Sequence, residues 1–134
     1  MNGFSSRPVV RHHRGGGRCW ELVEPLTFRS YSEFEITLPA GFRWDGPSIP
    51  RISAALACRY DAAFAPSAVH DAGYRLGRTD ADKRAWDLLF WEGLLTEGAE
   101  QDDARRTWEG VAALGWGAWN AHRAVDAWRY EEAQ

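Results

Sequence analysis

A chain of 134 residues is long enough for one domain built around one hydrophobic core. Its 45% hydrophobic and 26% charged residues exclude an intrinsically disordered chain, and no apolar run approaches the roughly 20 residues that cross a bilayer, so we expect no transmembrane segment. The formal net charge of −3 is unevenly distributed along the chain, and this distribution bears on possible partners.

Residues 1–18 form a basic stretch with four arginines and no acidic residue, which leaves a formal charge of −7 on the rest of the chain. Arginine and histidine are interleaved there with a run of three glycines, a composition typical of a flexible arm. We therefore expect a flexible basic arm over residues 1–18 in front of a single domain over residues 19–134. Such an arm suits contact with the phosphates of nucleic acid or with an acidic protein surface, and an ordinary disordered terminus is the alternative.

The first residues and the two cysteines bear on the compartment. Residues 1–8 lack the apolar stretch of a secretory signal, so unaided export is not expected. The spacing of Cys19 and Cys58 matches no zinc pattern, which favours buried thiols. A single disulfide is the alternative, and it would require an oxidising compartment.

Short strands are predicted after the arm. Cys19–Val23 and Leu26–Tyr31 indicate extended segments, and Phe34–Leu38 alternates apolar and polar residues as a half-buried strand does. Pro39–Gly41 then predicts a turn into Phe42–Trp44. We therefore expect a small antiparallel β-hairpin or meander at the N-terminal side of the domain.

A pair of antiparallel helices is the clearest prediction for the second half. Pro66 fits an early helical position, so one helix is expected to run from there to Leu76 and to end at Gly77. Thr79–Asp82 resembles a capping arrangement that starts a second helix, which is expected to run to about Glu97.

The segments on either side of this pair complete the predicted fold. Asp45–Pro50 contains two prolines and a glycine, so it is expected to be a rigid loop, and Ser53–Tyr60 is a candidate short helix. A long third helix is expected to begin at Asp102 or the next residue and to reach towards Tyr130, weakened in its middle by Gly115 and Gly117. The prediction is an α+β fold with a small sheet packed on three main helices.

Titratable side chains fall on facing positions of the helical pair. His70 and Tyr74, four residues apart, share a helix face, and Asp71 lies beside them. Asp87 is followed by apolar residues at positions +3, +4 and +7, which predicts a carboxylate on the buried side of its helix. A buried carboxylate needs a partner, and we expect it to be His70.

Two alternatives stay open for these residues. Lys83 precedes Asp87 by four residues and could form a surface salt bridge with it, although a pair worth about 0.3–0.5 kcal/mol is weaker than the argument for burial. The same set could also be a purely structural network in which His70 donates to Asp87, Tyr74 caps the pair and Asp45 tethers its loop to a helix end.

Four segments of the sequence resemble motifs of a known protein family. They are Ile36–Phe42, Asp45–Arg51, His70–Arg75 and Asp87–Phe90. In this order they resemble a phage- and prophage-associated family known as domain of unknown function 1353, over roughly residues 20–115. The resemblance implies a phage or prophage origin, and it implies no activity.

A more distant resemblance concerns the bacterial and fungal phospholipases A2. It rests on Asp45 with the following Gly and Ser, on His70 with Asp71 and Tyr74, and on the later Asp87. The resemblance implies that His70 is a general base, that Asp87 orients it with Tyr74 in the same site, and that Asp45 and Asp71 hold a calcium ion. The cysteines that brace those enzymes are absent from this chain.

These resemblances lead to two hypotheses of function. The first is a phage accessory protein that hydrolyses an ester, such as a membrane phospholipid, with the help of calcium. The second is a non-catalytic virion or assembly component in which the His/Asp network only holds the fold together. Both place the protein in the virion or the host cytoplasm, with other particle proteins as partners, membrane phospholipid as a possible substrate and nucleic acid as a possible contact of the arm.

Overall fold

The chain folds into short strands followed by helices, in agreement with the predicted α+β class. A computed structural model describes residues 2–14, 18–48 and 58–123. The strands are β1 (Gly3–Phe4), β2 (Val10–His12), β3 (Trp20–Leu22), β4 (Leu26–Arg29), β5 (Glu35–Leu38) and β6 (Arg43–Trp44). After a 3₁₀ turn at Gly46–Ser48, the helices are α1 (Tyr60–Leu76), α2 (Asp80–Thr96) and α3 (Gln101–Leu114), and the chain is helical again over 116–123.

The strands form two antiparallel sheets of three strands each, in the orders β1-β4-β5 and β2-β3-β6. Burial alternates along β4, where Leu26 and Phe28 are buried and the residues after each are half-buried. Thr27 lies opposite Thr37 of β5, and the two hydroxyl oxygens are 2.7 Å apart. Burial also alternates along β5, where Glu35 and Thr37 are exposed, Ile36 is half-buried and Leu38 is buried, which confirms the period-two pattern that predicted this strand.

The predicted antiparallel pairing is present between β4 and β5, but the segment after the predicted turn pairs with another strand. The turn at Pro39–Gly41 is present, since the Phe42 amide donates to the Pro39 carbonyl at 3.1 Å and Gly41 has a φ of +92°. After the turn, however, β6 pairs with β3 and not with β5. The Gly41 amide and the Phe42 carbonyl both bond to Leu22, so β3 and not β5 satisfies the backbone that follows the turn.

Two stretches of the predicted arm belong to the sheets. β1 pairs with β4, with Gly3 opposite Arg29, and β2 pairs with β3, with His12 opposite Trp20. The edges of β3 and β4 present backbone groups that need partners, and the arm supplies them. The chain ahead of residue 19 is therefore not simply a free arm, because two short strands of it are paired with the domain.

α1 begins six residues before Pro66, so the prediction that this proline lies near the helix start is wrong. Pro66 is in the helix interior and packs against Gly93 of α2, where the absence of a side chain leaves room for the ring. The capping box at Thr79 is confirmed, because the Asp82 amide donates to Thr79 Oγ1 at 3.1 Å and the Thr79 amide donates to the Asp82 carboxylate at 3.0 Å.

The predicted third helix has a break. α3 ends at Leu114, Gly115 is a turn residue, and helix resumes at residue 116, which agrees with the predicted weakness at Gly115. A Cβ at Gly115 would overlap the Tyr74 hydroxyl, so the glycine lets α1 approach the end of α3 closely. The expected extension to Tyr130 and most of the short helix predicted for Ser53–Tyr60 lie outside the described residues.

α1 lies between the sheets and the other helices and belongs to both parts of the hydrophobic core. One cluster joins the sheets to one side of α1, and the other joins α1 to α2 and α3. The first contains Leu22, Leu26, Phe28, Leu38, Trp44, Ala65, Ala68, Val69 and Ala72. The second contains Ala63, Phe90, Leu94, Ala104 and Val111. The central position of α1 buries the polar residues of its middle turns from several sides.

The structure bears on the expectations about transmembrane segments and about the two cysteines. Among the described residues, none of the helices combines the length and the apolar character that a membrane span requires. Cys19 and Cys58 are half-buried free thiols. Burial raises the pKa of the Cys58 thiol, whose sulfur lies 3.4 Å from Thr107 Oγ1.

Candidate functional site

The short connection at residues 77–79 sets α1 and α2 side by side in opposite directions. Pro66 of α1 lies against Gly93 of α2, and Gly73 lies against Trp86, so residue numbers rise on one helix as they fall on the other. A Cβ at Gly73 would overlap the Trp86 ring, so this glycine permits the close packing. The register places the middle of α1 opposite the middle of α2.

The Asp87 carboxylate is the centre of a buried polar cluster at this level. Its Oδ1 accepts hydrogen bonds from His70 Nε2 at 2.7 Å and from the Tyr74 hydroxyl at 2.8 Å. Its Oδ2 accepts one from Lys83 Nζ at 2.7 Å. Each of these four residues, which we call the Asp87 cluster, is at most 1% exposed. The structure thus brings together His70, Tyr74 and Asp87, as the sequence predicted.

Lys83 is the member of the cluster that the sequence offered only as an alternative, as a partner of Asp87 in a surface salt bridge. The i,i+4 pair with Asp87 forms, but it is buried and not on the helix surface. Lys83 Nζ also donates to the Ala112 carbonyl of α3 at 3.1 Å and lies 4.5 Å from the centroid of the Trp116 ring. The cluster therefore connects three helices, and the signal for Lys83 was its spacing from Asp87.

Aromatic rings enclose the His70 imidazole. The centroid of the imidazole is 4.2 Å from that of Tyr74 and 4.9 Å from that of Phe90. Tyr74 is itself covered by Trp119, whose ring meets it edge-on at 5.2 Å. Since His70 has no exposed surface, the imidazole has the surroundings of a core residue.

Opposing effects act on the pKa of Asp87. Burial alone would raise it, because a charged carboxylate is poorly solvated in the core. The hydrogen bond and charge of His70 act in the other direction, with the bonds from Lys83 and Tyr74, and they hold the pKa of Asp87 below its ordinary value. The carboxylate is therefore ionised and supplies the negative charge that the buried Lys83 ammonium needs.

The two predicted calcium ligands have other partners. Asp71 is paired with the Arg75 guanidinium four residues further along α1. Asp45 Oδ1 accepts from the backbone amides of Arg18 and Cys19, the latter at 3.2 Å. Arg75 also donates to the Arg43 carbonyl at 2.5 Å, which ties this end of α1 to β6. Both carboxylates thus have structural contacts with cationic or amide donors.

This donor set does not fit a calcium site within the described residues. Calcium takes six to eight oxygen ligands, and carboxylates provide most of the negative charge. No group of three or more His, Cys, Asp and Glu side chains in residues 2–14, 18–48 and 58–123 is arranged to hold a metal ion. A guanidinium bound to Asp71 also competes with a cation for the same oxygens.

The Asp87 cluster can do two things chemically. It can hold three helices together through one shared carboxylate, and it can fix the tautomer and the orientation of the imidazole. The second property is also what a general base requires, but such a base must come within hydrogen-bond reach of its substrate or of a water molecule. The catalytic roles of His70, Asp87 and Tyr74 stay predictions.

Comparison with known proteins gave one match. A family model described as "Protein of unknown function (DUF1353)" matches residues 20–111, which is more than half of the chain. Searches of curated proteins and of solved structures found no match.

Proposed function

The chain belongs to the DUF1353 family, whose function is unknown, and from that premise we propose that the protein is a non-catalytic component of a phage or prophage particle. In this proposal the Asp87 cluster holds the helices together, and the outer surface contacts other particle proteins. The phage or prophage part rests on the family resemblance of the sequence motifs. The non-catalytic part rests on the geometry of the cluster.

The observation that carries the proposal is the complete burial of His70, which is 0% exposed. A general base must accept a proton from a group within about 3 Å, directly or through one water molecule. The imidazole is instead packed between the rings of Tyr74 and Phe90, with one nitrogen bonded to Asp87. These contacts are those of a residue that stabilises the core.

The hydrogen bonds that both oxygens of the Asp87 carboxylate accept support the same proposal. Three donors from two helices, those of His70, Tyr74 and Lys83, share its two oxygens. A carboxylate that only orients a histidine needs no buried ammonium at its second oxygen. The Lys83 ammonium at Oδ2 is what we expect of a carboxylate that neutralises a buried lysine. The contact of Lys83 with α3 extends this role to the third helix.

Metal-assisted ester hydrolysis is the second candidate, and one observation favours it. The 2.7 Å bond between His70 Nε2 and Asp87 Oδ1 is the pairing that prepares an imidazole for base catalysis. Its weakness is the calcium site, since Asp45 and Asp71 already have amide and guanidinium partners. Under this candidate the substrate would be an ester such as a membrane phospholipid.

The variant His70→Ala separates the two candidates. We expect it to lower the free energy of unfolding by at least about 2 kcal/mol, because it creates a cavity and removes a partner of the buried Asp87. Urea unfolding followed by tryptophan fluorescence measures this change. The same substitution at the exposed His12 of β2 is the control and should change stability by less than about 0.5 kcal/mol.

Hydrolysis is tested on the same two proteins. Wild type is incubated with phospholipid vesicles in calcium and, separately, in a chelator, and fatty acid release is measured. We expect no release above the protein-free baseline. Calcium-dependent release that disappears in His70→Ala, together with unchanged stability of that variant, would contradict the proposal and establish the second candidate.

The particle part of the proposal has a separate test. Particles induced from a lysogen that carries the gene are purified on a density gradient and probed with an antibody to this protein. We expect the protein to co-sediment with the particles. Its presence only in the soluble fractions would contradict particle association and would leave the conclusion about the Asp87 cluster unaffected.

A further inference from the structure

Three arginines line one open pocket of about 380 Å³. They are Arg18, ahead of β3, Arg43 of β6 and Arg75 of the last turn of α1, and we call this the arginine pocket. Its remaining wall consists of Gly41 and Phe42, so within the described residues no acidic side chain lines it. A pocket of this volume lies within the range of small-ligand sites.

The backbone at Arg18 is held in an unfavourable conformation. Its φ of +60° lies in the left-handed region, which residues with a side chain adopt rarely. The Asp45 carboxylate binds the Arg18 amide on one side, and Arg43 Nε donates to the Arg18 carbonyl at 3.0 Å on the other. Such strained residues persist only where neighbours hold them, and they are concentrated at ligand sites.

The guanidinium groups have donors to offer a ligand. Arg43 uses Nε for the Arg18 carbonyl, and its two terminal nitrogens have no acceptor within the described part of the chain. The Arg18 guanidinium likewise meets no acceptor there. Unlike these two, Arg75 is anchored by Asp71 and by the Arg43 carbonyl, so it forms a fixed wall of the pocket and its charge is offset by Asp71.

A nearby carboxylate does not cancel this charge. Glu21 of β3 lies opposite Arg43 in the sheet register. Its carboxylate already bonds to His13 at 2.7 Å and to Arg11 at 3.6 Å. The described side chains that line the pocket therefore include three arginines and no carboxylate, and Asp71 offsets the charge of one of them, Arg75.

We propose that the arginine pocket binds a phosphate group, either as free phosphate or as the phosphomonoester of a small molecule. The planar guanidinium presents paired N–H donors whose spacing matches two oxygens of a phosphate. Arg18 and Arg43 approach from different parts of the chain and supply these donors. This site is separate from the Asp87 cluster and does not depend on the proposed function.

Isothermal titration calorimetry of the full chain with inorganic phosphate, at constant ionic strength in sodium chloride, tests the proposal. We expect saturable binding by wild type and a dissociation constant at least about tenfold higher for Arg18→Ala, since a hydrogen bond to a charged group is lost. Arg18 is exposed, so its truncation should not affect folding. Arg43→Gln, which keeps a donor but removes the charge, should weaken binding as well.

Arg84→Ala, which removes one exposed arginine of α2, is the matched control and should bind like wild type. Ribose 5-phosphate as a second probe distinguishes the sources, because tighter binding than that of inorganic phosphate indicates a phosphomonoester and equal binding indicates the free ion. No saturable heat up to about 10 mM of either probe would overturn the proposal. So would equal weakening by Arg84→Ala, or binding of a DNA duplex without binding of either small probe.

Discussion

Asp87 is the residue on which the buried charges depend, since His70, Tyr74 and Lys83 all donate to it. Asp87→Asn keeps the size of the side chain but removes its charge. We expect a loss of about 3–5 kcal/mol in the free energy of unfolding, because the Lys83 ammonium is left buried without a counter-charge. Urea unfolding followed by tryptophan fluorescence measures the loss.

The same substitution in a surface pair is the control for this prediction. Asp61 forms an ion pair with Arg59 at 3.1 Å, and its side chain is 71% exposed. Because exposed pairs contribute about 0–1 kcal/mol, Asp61→Asn should have a small effect. Similar losses of stability in the two variants would show that the buried carboxylate of Asp87 stabilises the protein no more than an exposed one does.

Residue spacing predicts some of this site and misses the rest. The helix period placed Asp87 on a buried face and His70 opposite it, because both inferences use only local spacing. The burial of Lys83 depends on Ala112 and on Trp116, which follow it by 29 and 33 positions in the sequence, so no local pattern could reveal it. The partner of Asp71, in contrast, was visible in the i,i+4 position of Arg75.

At the level of elements, the packing of α1 on α2 depends on Gly73. A Cβ there would lie 2.0 Å from Trp86 Cδ2, so the ring or the helix that bears it would have to shift. We expect Gly73→Ala to destabilise the protein by about 1–3 kcal/mol, the usual effect of overpacking. Thermal unfolding followed by circular dichroism measures the change.

A second helical glycine is a matched control for Gly73. Gly117 lies in the helical stretch 116–123, and a Cβ there would meet no atom within 4 Å. Gly117→Ala should therefore stabilise the protein by about 0.5–1 kcal/mol, since alanine loses less conformational entropy in a helix. A loss of stability at Gly117 equal to that at Gly73 would contradict the packing argument.

Element boundaries were predictable where a local signal exists. The capping box at Thr79 and the end of α1 at Gly77 follow from side chains close in sequence. The start of α1 was not predictable from Pro66. In the sequence alone, a proline inside a helix cannot be distinguished from a proline in the first turn of a helix. The pairing of β6 with β3 joins residues that are more than 20 positions apart and depends on the whole fold.

For the whole molecule, α1 is the element that couples the sheets to the helices. One side of it belongs to the core cluster with the strands, and the other belongs to the cluster with α2 and α3. The α+β class was predictable from the order of strand and helix patterns. The division of the strands into two sheets was not, because two stretches of the predicted arm complete those sheets. Loss of the Asp87 cluster should therefore weaken the whole fold and not α2 alone.

This coupling predicts how stability responds to acid. The pKa of Asp87 in the folded protein lies below its ordinary value, so the folded state holds fewer protons on this group than the unfolded state does. The stabilisation from Asp87 is complete above the unfolded pKa of about 3.9, and it is lost as the pH falls from there through the folded pKa.

Asp82, whose pKa is lowered by its bonds to the amides of Arg78 and Thr79, contributes with the same sign. Partial desolvation raises the pKa of Glu97, so its contribution has the opposite sign.

Comparison of wild type with Asp87→Asn at each pH cancels the contributions of Asp82 and Glu97. Urea midpoints measured between about pH 3 and pH 7 should show a constant difference between the two proteins at neutral pH. That difference should shrink once the pH falls below about 4, because the unfolded wild type then binds a proton at Asp87 that the folded protein does not yet bind. A difference that stays unchanged down to about pH 3 would contradict a lowered pKa of Asp87 in the folded protein.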